Sequence, residues 1–178
     1  MLEKEYKALI NSKQYKKMQS AFLWDNKFFQ KNYYYDTTDM YCAKHGITVI
    51  IREKENEYFL QIKTPITYDG GLHIKKEFER KIPELVDVIF SEDFDISIPL
   101  VIPNVAQIGV LVTERFEFHD KNTTVCLDRN TYNGNIDFEV EVEYYDSINL
   151  DIIKKLMLFG VSFDKTTDGK FTRFIKSL

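Results

Sequence analysis

The chain has 178 residues but only two cysteines, Cys42 and Cys126, and three histidines. Two cysteines without metal-ligand spacing argue against a disulfide scaffold or a thiolate metal centre and read as buried thiols. His45, His73 and His119 are scattered and form no H-x-x-x-H pair, which speaks against a histidine metal cluster. No apolar run approaches the length of a membrane span, and charge begins at Glu3, where a signal peptide would need its apolar core. A cytoplasmic protein without a membrane partner is the expectation. Low-complexity segments and internal repeats are also missing. Finally, neither sign of charge dominates: 24 Lys and Arg stand against 28 Asp and Glu, a net −4. No overall positive field draws in nucleic acid, so any function based on charge must come from local arrangement.

What is present suits a folded, β-rich protein. Hydrophobic residues make up 44%, charged residues 29% and aromatic residues 15%, a composition that buries a core and favours strands. The length fits a single domain over 1–178.

The hydrophobic pattern predicts a strand over 2–10, then a helix over 11–23 capped by Asn11 or Ser12. A second strand follows over 29–37 and ends in the turn-prone "DTTD". Segments 45–54 and 57–65 form a hairpin, broken afterwards by Pro65 and the "YDGG" at 68–71. Another strand covers 72–82, and Pro83 opens a short helix over 83–90. Residues 91–104 show no period. Strands are expected over 107–120, 122–130 and 136–146, with an Asn-Gly turn before the last. An amphipathic helix over 148–160 ends at Gly160, and a last short helix falls within 168–178. Strands mostly follow strands, so the pairing should be largely antiparallel and the sheet able to close.

Several strands carry one apolar and one ionic face. Glu3, Glu5 and Lys7 share a face; so do Lys75, Glu77 and Glu79; so do Thr113, Arg115 and Glu117. Asp137, Glu139, Glu141 and Glu143 alternate with Phe138, Val140, Val142 and Tyr144. An open sheet with a solvated face would look like this, and so would a barrel with an ionic interior and helices outside. The type of charge separates the two. Glu-x-Glu recurs at 3/5, 77/79 and 139/141, and like charges two apart repel unless a cation joins them. Hard divalent ions suit carboxylate oxygens, while Arg and Lys suit phosphate. Together these are the parts of metal-assisted phosphoryl transfer.

At this point the sequence resembles the CYTH domain, or triphosphate tunnel metalloenzyme, family. The resemblance starts with Glu3-x-Glu5-x-Lys7 and continues through "YYDT" (34–37), Arg52, "IKTP" (62–65) and "KKEFE" (75–79). It goes on through Arg115, "LDR" (127–129), "FEVEVE" (138–143) and "KFTR" (170–173), in order along nearly the whole chain. It implies an α+β, β-dominated fold: an eight-stranded antiparallel closed tunnel with helices packed outside. It also implies divalent-metal-dependent hydrolysis of a triphosphate, inorganic triphosphate first, by metal-activated water attacking the terminal phosphorus. Thiamine- or nucleoside-triphosphate cleavage, adenylyl cyclisation, and a non-catalytic polyphosphate- or nucleotide-binding module are the alternatives.

Carried over residue by residue, the resemblance assigns Lys7, Arg52, Lys63, Lys75, Arg115, Lys170 and Arg173 to phosphate. It assigns Glu3, Glu5, Glu139 and Glu141 to Mg²⁺ or Mn²⁺, with Glu5, Lys7, Arg52 and Glu141 central to the chemistry. Glu77, Glu79 and Asp128 are supporting acids. The implied partner is a small anionic triphosphate, and a homodimer is left open. Two positions depart from the family pattern: Ile50 and Thr113 stand where a basic residue is usual. Each removes a phosphate contact worth roughly 1.5–3 kcal/mol. By contrast, Glu143 reads as a strand-end charge, Asp36 as a turn former and Trp24 as packing, with His73 and His119 structural.

Overall fold

The computed structural model describes residues 2–69, 71–94 and 100–178. Gly70, part of the expected "YDGG" break, and 95–99, part of the aperiodic stretch, lie outside them. The described elements are β1 (Leu2–Ile10), α1 (Ser12–Ala21), β2 (Asn26–Asp36), α2 (Tyr41–Lys44), β3 (Thr48–Lys54), β4 (Glu57–Asp69) and β5 (Leu72–Ile82). They continue with β6 (Val88–Ile89), a 3₁₀ turn (Ser91–Asp93), β7 (Val105–Asp120), β8 (Thr123–Tyr132), β9 (Asn135–Tyr144), α3 (Leu150–Met157) and α4 (Lys170–Ile175).

Every strand pairing is antiparallel. The order β2-β3-β4-β5-β1-β9-β8-β7 closes on itself through β2–β7, and β6 is added outside the ring on β7. The result is the eight-stranded antiparallel barrel implied by the resemblance, with one extra strand. Closure leaves these eight strands no open edge, which suits a wall whose two faces have opposite chemistry.

Period-two alternation sends the apolar residues outward and the ionic ones inward. Outside, Ala8, Ile10, Val125, Leu127, Val140 and Val142 pack against Tyr15 and Met18 of α1 and Ile152 and Leu156 of α3. Met18 and Leu156 are fully buried, and burying each side chain contributes about 1.5–3 kcal/mol. The cap expected at Asn11 forms a reciprocal capping box with Gln14. Gln14 also donates to the carbonyls of Phe159 and Gly160, tying α1 to the end of α3. On the opposite side, Val49, Ile51, Leu60 and Ile62 pack against Tyr35, Cys42, Ile47, Ile89 and Val105. The Glu55–Asn56 and Asn133–Gly134 turns carry paired positive φ values, the backbone of tight hairpins.

Two expectations fail. Residues 83–90 form no helix. Val88 and Ile89 pair with Ala106 and Val105, and Ile89 is buried in the outer core, so the β-branched pair gains more by joining β7 than by continuing a turn after Pro83. Nor does Pro65 end its strand. β4 runs on to Asp69 past a bulge between Pro65 and Thr67, where a residue without an N–H is tolerated. The short helix α2 was not anticipated. The carboxylate of Asp36 accepts from the N–H groups of Thr37, Cys42 and Ala43, organising the turn and α2 together. Among the described residues no helix is long and apolar enough to cross a membrane.

Candidate active site

Inward side chains of seven of the eight ring strands, together with residues 169–172 at the start of α4, line a cavity of about 120 Å³. Its wall includes Glu3, Glu5, Lys7, Arg52, Lys63, Lys75, Arg115, Glu141 and Lys170, all named from the sequence, together with Glu143 and His73. The register explains why they meet. Lys7 lies opposite Glu141, Glu5 opposite Glu143, Glu3 opposite Lys75, Lys63 opposite Glu77 and Arg115 opposite Asp128. Four of these pairs set opposite charges side by side on the inner face, which stabilises, while Glu5 and Glu143 set two carboxylates together.

Nearly every cation in the tunnel is held by carboxylates. Lys7 Nζ stands 3.0 Å from Glu5 and 2.9 Å from Glu141. Lys63 Nζ stands 3.3 Å from Glu3 and 3.2 Å from Glu77. Lys75 bonds Glu5. Arg115 donates Nε and Nη2 to the two oxygens of Asp128, at 2.8 and 2.7 Å, and Nη2 also to Glu141 at 2.6 Å. Arg52 differs. Its Nε donates to Asn32 Oδ1 at 2.9 Å, and among the described residues no carboxylate pairs with it.

Burial and charge pull the acids in opposite directions. Burial alone raises Glu5, but Lys7 and Lys75 outweigh it and bring its carboxyl down to about 2. Glu139 is likewise brought to about 2 against its burial, mainly by Lys170, and Glu141 is held well below the carboxylate range by Lys170, Lys7 and Arg115. Glu143 goes the other way. Burial pushes it up to about 7, and Arg115 at 3.6 Å does not compensate. His73 is lowered to about 4 by burial and by Lys7 beside it, so its ring is neutral near pH 7.

The carboxylates meet in two groups rather than one. Oxygens of Glu3, Glu5 and Glu143 lie within 4.8 Å of one another, and so do oxygens of Asp128, Glu139 and Glu141. Both groups offer only hard oxygen donors, which fits Mg²⁺ or Mn²⁺. In the second, Glu139 is fully buried and its Oε2 accepts no hydrogen bond among the described residues. This arrangement gives Glu143 neighbours that the strand pattern did not. Glu143 joins Glu3 and Glu5 instead of ending its strand as a solvated charge, because β9 runs antiparallel beside β1 and sets it opposite Glu5. Asp128 is a fully buried member of the second group. Alternation placed Glu143 on the ionic face, but no pattern within one strand could reveal its partners.

The other named residues fall as follows. Glu77 is buried against Lys63. Glu79 is exposed and accepts from Gln61, so it stands apart from both carboxylate groups. Lys170 and Arg173 come from α4, outside the barrel ring, with Lys170 on Asp128, Glu139 and Glu141 and Arg173 on Asp137 and Glu139. Thr113 donates to Asn130, and Asn130 donates to Asp137 and Glu139. Ile50 packs with Tyr34, Leu111, Tyr132 and Phe174 in an apolar cluster facing α4. Trp24 packs on Phe22 and Phe116, and His119 is exposed.

Comparison with known proteins gives the same direction. The CYTH domain family is matched over residues 1–167. A Bacillus subtilis protein named "Putative triphosphatase YjbK" is 28% identical over 154 residues, covering 82% of this chain and 78% of that one. A solved structure described as a putative adenylate cyclase from Bacillus halodurans is 26% identical with a TM-score of 0.69, over 96% of this chain and 95% of the other. The Hippeastrum protein HpAC1, whose structure is described as revealing a dominant triphosphatase activity, shares the fold at a TM-score of 0.70 and 17% identity, over 98% and 95% of the two chains. An eight-stranded barrel with carboxylates and bases interleaved on its inner wall, matched over 1–167, belongs to the CYTH domain family.

Proposed function

We propose that this protein hydrolyses a small triphosphate inside the barrel, with inorganic triphosphate as the favoured substrate and Mg²⁺ or Mn²⁺ as the cofactor. The observation that carries the reading is the wall itself: Glu3, Glu5, Glu143 and Glu141 stand among Arg and Lys side chains around one cavity, and Glu141 joins the buried Asp128 and Glu139 behind it. The Bacillus subtilis relative named as a putative triphosphatase supports it.

Glu3, Glu5 and Glu143, and Asp128, Glu139 and Glu141, would hold the divalent cation. When bound, it supplies positive charge to phosphate oxygens and favours deprotonation of a nearby water. The chain's own residues do the rest. Arg52, which no carboxylate pairs with among the described residues, offers its guanidinium to phosphate first. Lys7, Lys63, Lys75 and Arg115 are tied to acids and become free for phosphate once those acids face a stronger cation. The fixed charges then orient the chain and stabilise charge spreading onto the terminal phosphate oxygens. Ile50 and Thr113 narrow the basic surface, which favours a short substrate without an organic head. We place this activity in the cytoplasm, without a nucleic-acid or membrane partner.

The test offers the purified protein inorganic triphosphate, thiamine triphosphate, ATP and pyrophosphate, each with Mg²⁺, Mn²⁺ or chelator. Phosphate release from triphosphate that chelator abolishes is the expected result. Binding of triphosphate without turnover of any substrate would replace hydrolysis with a binding role. Nucleotide cyclisation is the second reading, favoured by the Bacillus halodurans relative, and cyclic AMP from ATP would identify it.

A further inference from the structure

Four cations touch the Asp128–Glu139–Glu141 group, and they come from two kinds of element. Lys7 and Arg115 stand on β1 and β7, whose backbones are locked into the barrel ladder. Lys170 and Arg173 stand on α4, which takes no part in the ladder. Lys170 is the more central of these two. Its ammonium lies 2.9 Å from Asp128 and 2.9 Å from Glu141 and bonds Glu139 as well, so one charge meets all three acids. The side chain is inserted from outside by an apolar anchor. Phe174 is fully buried against Tyr34 and Tyr132, and at Gly109 a Cβ would meet the Phe174 ring at 2.6 Å. The matched family region ends at residue 167, before α4 begins.

We infer that Lys170 is a tethered cation that competes with a divalent ion for Asp128, Glu139 and Glu141. The inference rests on the reading above that these acids hold a metal. With Lys170 in place, one ammonium sits among all three acids, in the position a divalent ion would take. Filling the second group requires the ammonium to leave. Loss of Lys170 therefore strengthens metal binding at that group, the reverse of what a phosphate ligand or a purely structural lysine would do.

Mn²⁺ binding to the full chain, read by electron paramagnetic resonance of the free ion, tests this. Lys170→Met keeps the stem and removes the charge; Lys154→Met, exposed on α3, is the control. The Lys170 variant is expected to bind its weaker Mn²⁺ on the order of ten- to a hundredfold more tightly, the range of one charged hydrogen bond, with the control unchanged. A second readout uses the unaltered protein. Amine-reactive labelling of Lys170, followed by mass spectrometry, should rise when Mn²⁺ is added, because the ammonium is displaced from its acids. Equal or weaker Mn²⁺ binding by the variant, or labelling that stays level or falls, overturns the competition while leaving the metal reading intact. No Mn²⁺ binding by either protein overturns the metal reading and the competition with it.

Discussion

Two regions of the barrel interior carry opposite chemistry. Around Glu3, Glu5, Lys7, Lys63 and Lys75 the inner wall is ionic, and around Tyr34, Ile50, Leu111 and Tyr132 it is apolar. The second region exists to receive α4, whose Phe174 fills it. The contrast gives Ile50 a physical role. Taken alone it is a missing phosphate contact; in place it is part of the seat for a helix that carries Lys170 and Arg173 to the carboxylates. A barrel interior is therefore not one solvent environment, and an inward residue must be judged by the side chains it packs against.

Changing each region in turn tests the contrast, and the largest effect is expected in the ionic half. Glu141→Ala should abolish metal-dependent turnover and cost about 3–5 kcal/mol of stability, because Lys7, Arg115 and Lys170 lose a shared buried partner. Activity assays and urea unfolding would check it, and a variant of unchanged stability would refute the shared-partner account.

In the apolar region, Phe174→Ala should cost about 3 kcal/mol as a truncation of a fully buried ring. Faster hydrogen exchange confined to α4 is its expected signature. Exchange spread evenly over the barrel would show that the two regions are not separable.

Arg52 and Arg115 sharpen the ionic half from within. Arg52→Ala should weaken triphosphate binding by roughly 1.5–3 kcal/mol with little loss of stability, since no described carboxylate pairs with it. Arg115→Ala should lower both, because Asp128 and Glu141 are left buried without it. Calorimetric binding paired with melting curves separates the two outcomes.

The smallest effect expected is one of pH. Glu143, raised to about 7, binds its proton more tightly in the fold than in the unfolded chain. Its contribution is fully present below the ordinary carboxylate pKa and is lost as pH rises through about 7. Without metal, Glu143→Gln should therefore gain roughly 1 kcal/mol over the parent at pH 8, after screening of a partly exposed group, and nothing at pH 4. Equal gains at both values would show that the effect is not titration.

Much of this was legible in the chain. Alternation is a local property, so each strand's ionic face could be read from its own residues, as in Glu3-x-Glu5-x-Lys7 and Glu139-x-Glu141. The cap at Asn11 and the tight turn at Asn133–Gly134 are local too. What the sequence could not assign depends on pairings between distant segments. The antiparallel register of β9 on β1 brings Glu143 to Glu3 and Glu5. Added pairing on β7 turns 88–89 into a strand where Pro83 suggested a helix. Docking of Phe174 carries Lys170 onto three acids from two strands. The sequence by itself determined which faces would be ionic; only the tertiary structure decided which charges would share a site, because alternation specifies a face and strand pairing specifies the neighbour.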